Sequence, residues 1–184
     1  HQAAAVPAPP KPAAPPVDDQ GFLVRLIDQL VGDRIADDKR VYVSGFSSGG
    51  FMTWSLLCAF PERFAAAAPM SASMTEAQIA TCKPQRAVPI IAFAGTADKF
   101  VRYDGALRGE TRIASIPEAL EFWRRQHGCR RQSVTDVPHL DPTDPTRVER
   151  IDWLSAKCGE PDPLRLYRVE GGGHTLPTLA PHPP

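Results

Sequence analysis

Apolar residues recur every three or four positions at Phe22, Leu23, Leu26, Ile27, Leu30 and Val31, which predicts an amphipathic helix over 18–31. Asp18 and Asp19 stand at its start, where the helix dipole favours negative charge. Beyond it the period changes. Val41–Ser44 reads as a short strand, and 51–60 is an apolar segment long enough for a helix and stopped by Pro61. The stretch 64–72, "FAAAAPMSA", is apolar without a resolvable period. The continuous apolar run 88–95, "VPIIAFAG", predicts a buried strand. A second helix is expected over 116–127, opened by a capping box of Ser115 and Glu118 and ended by Gly128. Segments 147–154 and 164–170 read as strands. No repeat of 20–50 residues is present. Strands alternating with helices predict an α/β fold, a mostly parallel sheet with flanking helices on both faces.

Composition changes this picture mainly at the two ends. The chain has 184 residues, enough for one domain with a substantial core, and its 20 prolines cluster in "VPAPPKPAAPP" and "LPTLAPHPP". Residues 1–16 hold only Ala, Pro, Val, Lys, Gln and His, which cannot build a core; a disordered arm is expected there. The expected core spans 17–178, followed by a Pro-rich tail at 179–184. The 21 basic and 21 acidic residues balance without a basic patch, which argues against nucleic acid and anionic membrane as partners. Apolar runs are far shorter than a membrane span.

The cysteines Cys58, Cys82, Cys129 and Cys158 are widely spaced and match no zinc pattern. Sequence order favours the pairs Cys58–Cys82 and Cys129–Cys158. Such bonds imply an exported, extracellular or periplasmic protein; four buried thiols in a cytosolic protein is the other reading. The aspartates and histidine of 136–146 fit no calcium-loop spacing, so no metal is expected.

The candidate chemistry lies in "RVYVSGFSSGGF", residues 40–51. A strand runs into a helix through one tight turn, and Gly45 and Gly49 flank Ser47 at −2 and +2. A nucleophile elbow has this form: the turn lifts the serine hydroxyl beyond the sheet, and the helix N-terminus aims N–H groups at the site. The backbone N–H of Ser48 would then be one oxyanion donor. The five-residue pattern alone arises by chance in roughly 6% of chains this long, so it needs context. A glycine-rich helix start with Ser47 as a simple cap is the plain alternative. A serine hydroxyl needs a base, and the base an orienting carboxylate. Asp98 lies three residues past the strand ending at Gly95, and His174 sits in a glycine-rich turn beyond the strand at 164–170. The order Ser, acid, His suits this fold. Asp104 is the substitute acid. His127 and His139, with His1 and His182 in the tails, sit at no strand-end turn.

With "DDQGFLVRLIDQLV", "RVYVSGFSSGGFMTWSLLCAFPERFAAAAPMSA", "VPIIAFAGTADKFVRYDG", "IPEALEFWRRQHGC" and "LYRVEGGGHTLP" in order, the chain resembles secreted esterases of the polyhydroxybutyrate depolymerase and feruloyl esterase type. These are α/β-hydrolases, and the match runs from about Asp18 to Pro177. The resemblance implies Ser47 as nucleophile, Asp98 as acid and His174 as base, with no cofactor. It implies carboxylic ester substrates, polymeric ones included: hydroxyalkanoates, or hydroxycinnamoyl and acetyl groups on polysaccharide. Such esterases also carry strands before the first helix, an early His-Gly loop that supplies a second oxyanion N–H, and a terminal helix. Here a proline-alanine arm stands first, Leu176 takes the place of a common tryptophan, and Ser48 that of a common asparagine. The expectation is therefore a partial α/β-hydrolase whose strand at 41–44 forms an exposed edge open to association. An inactive relative, or a polymer-binding remnant, is the alternative.

Overall fold

The computed structural model describes residues 17–154 and 163–176. The expected arm at 1–16, the tail at 179–184, Cys158, His1 and His182 lie outside the described residues.

The first helix, α1 (Asp19–Gly32), forms where the periodicity places it, and the Asp18 carboxylate caps it by accepting from the Gly21 N–H at 2.8 Å. Strand β1 (Tyr42–Phe46) leads into α2 (Ser48–Ala59), which is apolar on every side because it lies between the sheet and α1. A single 3-10 turn at 61–63 precedes β2 (Ala66–Met70). This is the segment whose period was unreadable; it becomes a strand because β1 and β3 (Ile90–Gly95) pair with it on either side. Between them lies the short helix α3 (Glu76–Thr81). A hairpin of β4 (Ala106–Arg108) and β5 (Thr111–Ile113) turns at Gly109. Helix α4 (Ile116–Gln126) carries both arms of the expected Ser115–Glu118 capping box, and Gly128 follows at φ +65°.

Strands β6 (Arg131–Asp136), β7 (Arg147–Leu154) and β8 (Leu164–Glu170) complete a six-stranded sheet in the order β1-β2-β3-β8-β7-β6. The first four run parallel, and β7 and β6 add antiparallel at one edge, so the sheet is mostly parallel as expected. β6 escapes sequence reading because it is almost wholly exposed, and its ladder with β7 is what makes it a strand.

The core lies on one face. Ala67, Ile90, Ala92, Ala94, Leu164 and Leu166 point to it, and α2 and α4 cover them with Trp54, Leu56, Leu57, Leu120 and Trp123. The rings of Trp54 and Trp123 stack at 5.9 Å where the two helices meet. Helices were expected on both faces; the described helices α2 and α4 cover this one, and among the described residues none covers the other. On the other face Tyr42, Ser44, Ala66, Ala68, Ile91 and Arg165 border an open cleft of about 460 Å³, and Tyr42 is 65% exposed.

The disulfide Cys58–Cys82 joins α2 to the end of α3, as sequence order favoured. Cys129 is buried after α4; its expected partner Cys158 is outside the described residues.

Candidate active site

Four parallel strands end at one edge of the sheet, and three of those ends carry polar side chains that converge. Ser47 follows β1, Asp98 follows β3 and His174 follows β8. Their alignment is built by the backbone.

At the first turn Ser47 holds φ 53° and ψ −116°, a conformation rare for any residue but glycine. Its N–H donates to Met70 O at 3.0 Å, which fixes the turn over the end of β2. A Cβ on Gly45 would stand 2.2 Å from the Gly49 carbonyl, so the strand and helix backbones touch there. Gly49 has nothing within 4 Å of such a Cβ, whereas Gly50 would meet Ala72 Cβ at 2.5 Å and Met70 O at 2.9 Å. The two glycines the turn requires are therefore Gly45 and Gly50, and the flanking Gly49 is not sterically demanded. The sequence signal was present in the Gly49-Gly50 doublet, but only packing against β2 separates the two roles.

The other two turns are stitched to each other. Thr96 N–H donates to Val169 O and Ala97 N–H to Gly172 O, both at 2.9 Å. The Thr96 hydroxyl donates to Glu170 Oε1 at 3.1 Å and accepts from the Gly171 N–H at 2.9 Å. A Cβ on Gly95 would fall 2.2 Å from Gly172 O, so only glycine permits this approach. Thr96 gave no sequence signal of this role, because its partners lie 74 and 75 residues away.

The result is a hydrogen-bonded line. The Ser47 hydroxyl and His174 Nε2 are 2.9 Å apart, and His174 Nδ1 and Asp98 Oδ2 are 2.7 Å apart. Asp98 is 4% exposed, and its second oxygen accepts from the N–H groups of Phe100 and Val101, each at 2.8 Å. Three donors thus serve one buried carboxylate, which satisfies it and locks its direction. The Ser47 side chain makes no capping bond to α2 and is spent on His174 instead, so the reading of a simple serine cap does not hold. Ser48 is the first residue of α2. An N–H at that position has no acceptor within the helix, and the positive dipole end adds to its pull on an anion. Phe46 and Phe100 place their rings against His174, with centroids 4.7 Å and 5.3 Å from the imidazole.

The rival side chains are elsewhere. Asp104 is exposed in a turn before β4. His127 ends α4, buried, and His139 meets the Arg147 guanidinium on an exposed loop. Asp141 and Asp144 of that loop accept from the N–H groups of Thr143 and Thr146, two residues on. Among the described residues no group of three or more His, Cys, Asp or Glu side chains could hold a metal ion, and no helix is long and apolar enough to cross a membrane.

A mostly parallel sheet with serine, carboxylate and histidine beyond its strand ends, in that chain order, is the α/β-hydrolase architecture. Acetyl xylan esterase from Aspergillus awamori superposes on it with a TM-score of 0.61 at 18% identity, over 87% of this chain and 63% of that one. No family model matches the sequence. Curated relatives do. Feruloyl esterase B of Piromyces equi is 30% identical over 89% of this chain and 30% of its own length. The bifunctional acetylxylan esterase/xylanase XynS20E of Neocallimastix patriciarum is 27% identical over 85% and 21%. Poly(3-hydroxyalkanoate) depolymerase C of Paucimonas lemoignei is 38% identical over 26% and 11%. The chain is thus an α/β-hydrolase-fold relative of named ester hydrolases, and it spans less than a third of the length of those curated relatives.

Proposed function

We propose that the chain carries the reacting groups of a serine esterase. Ser47 Oγ attacks the acyl carbon of an ester while His174 Nε2 takes its proton. The tetrahedral oxyanion leans on the Ser48 N–H. Collapse breaks the bond to the alcohol, and His174 returns the proton to that oxygen. Water, deprotonated by His174, then releases the acid and restores Ser47. Asp98 holds the imidazole in the tautomer that accepts from serine and stabilises its charged form. The observation that carries this reading is the unbroken line from Ser47 through His174 to Asp98. The substrate class we propose follows the relatives: hydroxycinnamoyl or acetyl esters on polysaccharide, or hydroxyalkanoate esters. Neither metal nor cofactor enters these steps.

A fluorophosphonate probe tests it. Intact-mass analysis is expected to show one adduct on Ser47, absent from Ser47→Ala. A folded chain that takes no label would favour the alternative of an inactive or polymer-binding relative.

Two further points belong to this reading. We place the working protein outside the cytosol, because the Cys58–Cys82 bond needs an oxidising compartment. Free thiols at both positions in protein isolated from its source would sink that assignment. Among the described strands β1 is an edge with exposed Tyr42, and we propose that it is open to pairing with another strand. Sedimentation velocity is expected to show concentration-dependent association that Tyr42→Lys weakens; a parent that stays monomeric throughout removes the idea.

A further inference from the structure

Phe100 is 67% exposed, an unusual position for an aromatic ring held against the imidazole of a hydrogen-bonded His–Asp pair. It is not a loose loop residue. Its N–H donates to Asp98 Oδ1 at 2.8 Å, and its carbonyl accepts from the Arg108 guanidinium at 2.6 Å. The neighbouring Val101 is 5% exposed and binds the same carboxylate oxygen, so Val101 fills the core and Phe100 is left facing out. The carboxylate that orients His174 therefore also fixes the backbone carrying the ring. The ring lies tilted at 48° to the imidazole, 5.3 Å centre to centre. Leu176, two residues beyond His174, is also partly exposed.

Resting on the esterase reading above, the side of the site that this ring borders follows from the chemistry. The imidazole must hand its proton to the oxygen of the departing alcohol, so the alcohol lies beside His174, and the acyl chain lies away from it. We propose that Phe100 is the alcohol-side specificity residue, its exposed ring receiving the carbon-bound face of the leaving alcohol. An isolated apolar residue on a surface needs no explanation. This one is fixed at both backbone polar groups and touches the group that protonates the product.

The test holds the acyl group constant and varies the alcohol. Methyl, butyl and benzyl acetates are compared in the parent, Phe100→Ala and Phe100→Trp. Methyl acetate and methyl butyrate form the acyl control. The expected result is that the benzyl-to-methyl ratio of kcat/KM falls about tenfold in Phe100→Ala, the scale set by one apolar contact face. Phe100→Trp is expected to restore it, while the acyl ratio moves less than about twofold. Ratios within one variant cancel any general damage to His174. An unchanged alcohol ratio in a variant that still hydrolyses methyl acetate overturns the proposal alone, as does a change in the acyl ratio instead. A parent that hydrolyses no ester and takes no label at Ser47 removes the esterase reading and this proposal with it.

Discussion

Ser47 sits at φ 53°, and backbone strain of this kind costs on the order of 1–3 kcal/mol and persists only where the surroundings impose it. Here they do, through the contact of Gly45 with the Gly49 backbone and of Gly50 with Met70 and Ala72. The three glycines are therefore unequal in a way that mutation should reveal. Gly45→Ala forces a side chain into backbone that has nowhere to move. It is expected to cost about 2 kcal/mol or more in urea unfolding and to abolish labelling of Ser47. Gly49→Ala enters open space at the start of a helix, where alanine is preferred to glycine, and is expected to leave stability equal or slightly raised. Equal losses from the two substitutions would show that the turn is not held by this contact.

Two elements depend on features outside their own sequence. Helices α2 and α3 meet through Cys58–Cys82, a bond that closes a loop of 24 residues. Chain-entropy arguments put such a constraint at about 3–4 kcal/mol. Cys58→Ser with Cys82→Ser together is expected to lower the thermal midpoint markedly, with reduction of the parent by a thiol producing the same shift. A reduced parent that melts like the oxidised one would mean the helices are held by packing alone. The site turns gain no such covalent tie. Asp98 and His174 are kept in register by Thr96, Gly95 and Gly172, all of it hydrogen bonding and close backbone approach.

At the scale of the whole molecule the buried His127 sets an acid limit. Burial pulls its pKa from 6.5 to about 4, with a hydrogen bond to the Val88 backbone opposing the shift. The unfolded chain binds the proton near 6.5 and the folded chain only near 4, so the unfolded state holds more protons between those values. Stability is therefore complete above pH 6.5 and declines as pH falls through that window, by on the order of 3 kcal/mol. Below it Glu118 and Glu121, held at about 2 by Arg112 and Arg124, add a further acid loss that exposure keeps small. Unfolding free energy measured at pH 7, 5.5 and 4 is expected to slope downward in the parent and to flatten in His127→Gln. The same slope in both would place the acid sensitivity elsewhere.

The sequence by itself determined the α/β class, α1 and α4 with its capping box, a buried strand within 88–95, and Ser47, Asp98 and His174 as candidates, with Asp104 left open as a substitute acid. All of these rest on local signals: a 3.6 period, an apolar run, a glycine turn, a polar residue just beyond a strand. Tertiary structure decided what long-range pairing decides. It made a strand of 66–70 between two partners and another of the exposed 131–136 against β7. It distinguished Asp98 from Asp104 by bringing only the former to the imidazole. It moved the glycine requirement from Gly49 to Gly50, placed the described helices against one face of the sheet, and turned Phe100 outward beside His174. Each of these depends on atoms far apart in the chain, whose approach no local pattern encodes.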